Sequence, residues 1–371
     1  MDQTRLKALA LAEGLASSPA NIDRVANQTG PEHARWAFNQ WDLRARAKSK
    51  FSLSSQMVFV REALEQATTE QLASYHASLF PKGELVSDLT CGIGGDLMAL
   101  AERGPCVGFE LDPERAEAAT YNLKVAGLQG EVRNEDSLTT MWNWSYALAD
   151  PARRVEGRRT IDPSEFSPNP VDLAQRFQAL KLGVMKLSPL LPDPFLSSLG
   201  PSLRFLSCEG ECREALVMCG SEATQERLAV HVGSAQTLVA GDDAPYTEQP
   251  QQFFYDADPA AVRAHCLGSL AAMHDLRGLG DSRGYLTGNR DIDSPWVRKY
   301  RVLYSDKADI SKTKKQLQLL NAATPEIKQR HADQSQEQMR KLLRCNGSRR
   351  VSLAIWPLGR SLRHTLIEQV A

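Results

Sequence analysis

Residues 88–96 read DLTCGIGGD, a glycine-rich turn that opens on one aspartate and closes on another. The approach, "ELVSDL" (84–89), reads as a short buried strand, and "DLMALAERG" (96–104) as a helix ending at Gly104. "PCVGFELDP" (105–113) then reads as a second strand and "PERAEAATYNLKVAG" (113–127) as a second helix. Strand, helix, strand, helix with short connections predicts a doubly wound, mostly parallel α/β sheet. A dinucleotide turn would want Gly-x-Gly-x-x-Gly. Gly92 and Gly94 fit it, but Leu97 stands where the third glycine belongs.

Asp88 is a second mismatch with a phosphate ligand. A carboxylate at the strand end repels a pyrophosphate and attracts an ammonium. The expected ligand is therefore a nucleoside with a cationic tail and no phosphate, and S-adenosylmethionine is such a molecule. NAD and ATP are expected not to bind. Gly92 and Gly94 let the backbone come close to it, with Cys91 beside them. A ribose needs a carboxylate roughly 20 residues past the glycines, and Glu110 stands 18 past Gly92. Asp112 competes for this role, but "DPE" reads better as a helix N-cap and first turn. The third strand, "GEVRNEDSL" (130–138), is expected to end in Asp136, a candidate acceptor for an adenine amino group. The fourth, "YALADPARR" (146–154), ends in Asp150-Pro151. Any one of these acids could be a helix cap or a solvated carboxylate. Four in order at four strand ends point to one ligand-binding edge.

"VSDLTCGIGGD", "GFELDPERA" and "ADPARR" resemble motifs I, II and IV of class I S-adenosylmethionine-dependent methyltransferases. The closer resemblance is to bacterial methyltransferases with a THUMP-like C-terminal domain, related to RNA cap guanine-N2 methyltransferases. It covers nearly the whole chain: "KFSLSSQMVFVREALEQAT" (50–68), "GVMKLSPLL" (183–191), "EGECREALVMCG" (209–220), "YDADPAAVRA" (255–264), "YLTGNRDIDSPWVRKYRVL" (285–303) and "EIKQRHADQSQEQMRKLL" (326–343). The resemblance implies a Rossmann-like methyltransferase domain over 79–240, a ferredoxin-like domain over 250–305 and a THUMP-like domain over 310–371, after a helical region over 1–78. It also implies that Phe51 to Thr68 covers the methionine end of the cofactor, with Thr68 the contact.

In relatives acting on exocyclic amines, the motif after strand four is Asp/Asn-Pro-Pro-aromatic. Its side-chain oxygen and a proline carbonyl accept from the amine, and its aromatic stacks on the base. By that likeness Asp150 and Pro151 are the catalytic positions. Here Ala152, Arg153 and Arg154 follow, so the stacking aromatic is missing. Arg153 could stack its guanidinium on a base, pair with a phosphate, or brace the loop. Lys186, at the end of strand five, could contact substrate phosphate or only bridge to Asp150. The resemblance implies N-methylation of a base in structured RNA, tRNA or rRNA. Two alternatives stay open: a small-molecule or protein methyltransferase, and a non-catalytic protein that binds cofactor and RNA.

The remaining sequence bounds these readings. At 371 residues the chain has room for two or three domains. Its formal net charge of −1 excludes a polyelectrolyte binder as a whole. From Arg298 to Arg350, however, fourteen Lys/Arg face five Asp/Glu, which suggests an RNA-facing surface or a merely solvated face. No apolar run approaches the ~18 residues of a membrane span. "MDQTRLKALALAEGLA" reads as an amphipathic helix and not a signal peptide. Seven scattered cysteines without a CxxC pair predict reduced thiols in a cytoplasmic protein, and no zinc or other metal site. "CEGEC" (208–212) reads as a hairpin turn, and "VAGDDAPYTEQPQQ" (239–252) as a linker.

Overall fold

The computed structural model describes the chain except residues 153, 156–157, 160–161, 282, 331, 333 and 371; of 154–155 and 158–159 only the backbone is described. The chain groups into two compact units, 1–187 with 191–201 and 217–224, and 188–190 with 202–216 and 225–371.

The first unit begins with five helices: α1 (Gln3–Leu11), α2 (Pro19–Thr29), α3 (Pro31–Ala47), α4 (Arg61–Gln66) and α5 (Glu70–Ser78). Asp2 caps α1 by accepting from the Arg5 amide, and Ser18 caps α2 in front of Pro19. Ala8, Ala12, Val25, Ala34, Ala37 and Phe38 form a small core, and Trp36 and Trp41 pack at its edge. Both tryptophans are half-buried, and the Trp41 indole donates to the Leu9 carbonyl.

A parallel sheet follows, built from β1 (Val86–Asp88), β2 (Cys106–Phe109), β3 (Glu131–Arg133), β4 (Tyr146–Ala149) and β5 (Leu182–Leu187). Their order is β3-β2-β1-β4-β5, and each of these neighbouring pairs is parallel. Every residue of β1, β2, β4 and β5 is buried, as a sheet covered on both faces requires. The chain leaves β1 into α6 (Gly95–Ala101) and β2 into α7 (Pro113–Val125). Strand order reverses beside β1, where β2 lies on one side and β4 on the other. In open α/β sheets, ligands bind at the carboxyl ends of the strands at such a switch point.

The second unit carries the strand Ser202–Cys208, parallel to Glu226–His231. Cys208 leads into a tight turn with Glu209 and Gly210 both at positive φ, the geometry of a two-residue hairpin. An eight-stranded sheet then runs through residues 246–369. Its long strand Val297–Lys307 pairs with Phe253–Ala257 on one side and Ser361–Gln369 on the other. The stretches 250–305 and 310–371 thus contribute to one sheet. Among the described residues no helix is long and apolar enough to cross a membrane, and all seven cysteines are free thiols.

Candidate active site

The carboxyl ends of β1, β2 and β4 are stitched together by the glycine-rich turn. The Leu89 amide donates to the Leu148 carbonyl and the Cys91 amide to the Phe109 carbonyl. The Asp150 amide donates to Thr90 Oγ1 at 2.7 Å. Gly92 and Gly94 have φ of 56° and 92°, a region side-chain-bearing residues disfavour. A Cβ on Gly92 would meet nothing within 4 Å, so this face of the turn is open; on Gly94 it would come 3.4 Å from the Ala119 backbone of α7. At Gly94 that distance is ordinary van der Waals contact, so the positive φ, and not the packing of α7, calls for glycine there.

Cys91 shapes this turn. Its carbonyl accepts from the Gly94 amide, and its thiol lies where a Cβ on Gly108 would stand, 2.9 Å away. Leu97 would be 2.6 Å from that same Cβ. Gly108 is therefore required by close packing of the turn on β2. Burial, with Asp88 nearby, pushes the Cys91 thiol well up, so it is no nucleophile.

Asp88 ends β1 at 3 % exposure, and its Oδ1 accepts from the Thr90 amide. Burial lifts its pKa to about 8, and the Asp96 carboxylate adds to the rise; the Thr90 amide and Lys186 pull the other way. Asp96 has the opposite fate. Burial opposes its charge, but the Lys186 ammonium and His76 overcome that and hold it well below the usual carboxylate range. The two aspartates that bracket the turn are thus a carboxyl that titrates near neutrality and a fixed anion.

The fixed anion anchors a buried cluster. Lys186 Nζ lies 2.5 Å from Thr68 Oγ1, 2.7 Å from Asp96 Oδ2 and 2.9 Å from Asp150 Oδ2. Three acceptors match the three hydrogens of an ammonium. Thr68 Oγ1 in turn donates to Asp96 Oδ2, and His76 Nδ1 lies 2.7 Å from Asp96 Oδ1. An ionised carboxylate only accepts, so this imidazole nitrogen carries the hydrogen. Of the two roles open to Lys186, the structure shows the bridge to Asp150; at 4 % exposure its ammonium is committed inside the protein.

Thr68 sits over the turn, its carbonyl 3.4 Å from the position of a Cβ on Gly95. The segment before it is held by polar side chains. Gln40 exchanges hydrogen bonds with the Phe59 backbone, and Arg44 donates to the Met57 carbonyl. Fully buried Asn122 accepts from the Val58 amide and donates to the carbonyls of Val58 and Ile93. One side chain of α7 thus ties residues 57–59 to the glycine turn.

The remaining expected residues lie along the same edge. Glu110 is half-buried just past β2, and its Oε1 accepts from the Asp112 amide. Asp112 caps α7 by accepting from the Glu114 and Arg115 amides. Asp136 does not end β3, which stops at Arg133. It lies three residues on, where its Oδ1 accepts from the Leu138 amide. Asp150 follows β4 with its side chain 45 % exposed, and Pro151 is buried. Ala152 and Ser167 exchange backbone hydrogen bonds and close the base of the loop between them. Arg153 lies outside the described residues.

Asp96, His76, Asn122 and Gly108 were not anticipated. Asp96 had a signal, since an acid that closes a glycine turn has no phosphate to serve. His76 and Asn122 had none, because each lies in an ordinary helical pattern.

A clear-faced glycine turn, a buried carboxyl that an ammonium would ionise, and an exposed carboxylate next to both suit a cationic nucleoside cofactor. The comparisons agree. An "uncharacterized S-adenosylmethionine-dependent methyltransferase" of Mycobacterium tuberculosis, from strains CDC 1551 and H37Rv alike, is 30 % identical over 348 residues, 90 % of this chain and 96 % of that protein. The chain belongs to the S-adenosylmethionine-dependent methyltransferases. A solved structure from Porphyromonas gingivalis W83, named "putative methyltransferase", shares the fold over the full length of both chains with a TM-score of 0.81 at 22 % identity. No protein-family model matches the chain. The protein is a methyltransferase that uses S-adenosylmethionine.

Proposed function

We propose that the protein N-methylates a base in structured RNA, and that Asp150 holds the acceptor amine. The observation that carries this reading is Asp150 itself. It is exposed at the switch point, one carboxylate oxygen is bound by Lys186 at 2.9 Å, and a proline follows. S-adenosylmethionine supplies an activated methyl group, so the residues need only orient the acceptor and manage its proton. In this reading Asp88 faces the cofactor ammonium, Gly92, Gly94 and Cys91 form the cradle, Glu110 takes the ribose hydroxyls and Asp136 the adenine amine. Thr68 lies at the methionine end. Pro151 contributes a carbonyl. In sequence, Arg153 takes the position of the motif's stacking aromatic.

RNA is favoured by the charge of the second unit. Lys315, Arg344 and Arg350 are exposed in the stretch where basic residues outnumber acids. Replacing all three by Ala in the full-length protein should weaken binding of total tRNA and lower the slope of log affinity against log salt by about 2–3. An unchanged slope makes this stretch a solvated face. The ferredoxin-like and THUMP-like character of the second unit, and a cytoplasmic location, belong to the same proposal. The acceptor atom is tested by hydrolysing methyl-labelled RNA to nucleosides. Label on an exocyclic amine supports the reading, and label on a ring carbon overturns it.

Two further results are expected. Glu110→Ala should cost about 1.5–3 kcal/mol of S-adenosylmethionine binding, the range for hydrogen bonds to a charged group. A larger loss from Asp112→Ala would reassign the ribose ligand. Asp88, raised to about 8, is largely protonated in the free protein at pH 6.5. An ammonium beside it favours the ionised form, so binding should release a proton and tighten as pH rises towards 8. Calorimetry at pH 6.5 in buffers of different ionisation enthalpy should show this release in the native protein and not in Asp88→Asn. Equal release in both puts the ammonium elsewhere.

A further inference from the structure

We propose that Lys186 is a positioning residue for methyl transfer, fixing the Asp150 carboxylate by one oxygen so that the other faces the acceptor. This deepens, and rests on, the reading of Asp150 as the group that holds the acceptor.

Asp96 and Thr68 take two of the ammonium's three hydrogens, and the third goes to Asp150. That reach to Asp150 connects the cluster to the exposed edge of the sheet. The connection has a mechanical result. Asp150 is 45 % exposed, and a carboxylate that open to water rotates freely unless it is tethered. Lys186 is 3 % exposed at its side chain, sits in a fully buried strand, and is held by Asp96, which His76 holds in turn. A tether fixed at three points leaves Asp150 Oδ2 little freedom, and Oδ1 becomes the oxygen offered to the acceptor.

The test reads Asp150 directly, in full-length protein carrying 13C at the aspartate carboxyl carbons. The Asp150 resonance is identified by its disappearance in Asp150→Asn. At one fixed pH, Lys186→Met should shift that resonance, because the ammonium bound to Oδ2 is gone, and an unmoved resonance overturns the proposal. If Lys186→Met does not fold, Lys186→Arg serves instead, since a planar guanidinium does not reproduce the ammonium's place, and an unmoved resonance again overturns the proposal. Catalysis supplies the second arm, with tritiated S-adenosylmethionine and total cellular RNA. Lys186→Met should lower kcat on the order of 100-fold, the effect of misplacing a positioned group, with cofactor affinity within about threefold. In an Asp150→Asn background the same change should cost less than about threefold, because a neutral amide does not need the ammonium. An equal loss in both backgrounds shows that Lys186 does not act through Asp150. Absence of label in RNA with the native protein defeats the RNA reading alone; the Asp150 carboxyl resonance still decides the role of Lys186.

Discussion

Asp150→Ala should lower methyl transfer by about 100-fold to 1,000-fold, the usual cost of removing one oriented group at a reacting centre, and should leave S-adenosylmethionine affinity within about threefold. The two effects separate because Asp150 follows β4, while the glycine turn and Asp88 belong to β1 and Glu110 follows β2. Its carboxylate is bound by Lys186 on one oxygen, so only one oxygen is left to orient the acceptor. Asp150→Asn retains more activity than Ala, since the amide oxygen still accepts from an amine. If Asn is as inactive as Ala, the carboxylate acts through its charge or as a base, and an exocyclic amine is the wrong acceptor. Single-turnover rates alongside equilibrium cofactor binding give both readouts. A fully active Ala variant removes Asp150 from the mechanism.

Asp96→Ala should destabilise the folded protein by about 3–5 kcal/mol, the cost of breaking a buried ion pair by deleting one partner. Asp96 is 8 % exposed and accepts from Lys186, Thr68 and His76. Its loss leaves the buried Lys186 ammonium without its ionised carboxylate partner at 2.7 Å. Asp96→Asn costs less, because the amide oxygen still accepts. Urea denaturation of the full-length variants measures the difference. A loss under about 1 kcal/mol for Ala would mean that water or a neighbour replaces the carboxylate readily, and that the cluster is not a rigid support.

The ligand-binding edge was legible because local chemistry writes it into the chain. Each of the first two strands runs into a helix through a short turn, and Asp112-Pro113 announces its own cap. The missing third glycine and Asp88 together argue against a pyrophosphate. What the chain did not disclose is what joins distant positions. Asp96 and Lys186 lie 90 residues apart, and nothing in "GGD" or "VMKLS" pairs them. The attachment of residues 56–59 was hidden for another reason. It runs from Gln40, Arg44 and Asn122 to backbone groups, and backbone acceptors leave no signature in sequence. In the second unit, Val297–Lys307 is eleven residues long and pairs on both edges, so strands from both stretches enter one sheet. An irregularity at Val302/Tyr304 interrupts its alternation along the pairing with Ser361–Gln369, and such bulges weaken the period-two pattern by which strands are recognised.

The central claim, methyl transfer to RNA, meets its most direct test in one labelling experiment. Full-length protein and tritiated S-adenosylmethionine are incubated with total cellular extract, and the macromolecular fraction is divided between ribonuclease and buffer. The account predicts label that ribonuclease releases and that Asp150→Ala fails to deposit. Label that survives ribonuclease and is released by protease would contradict it.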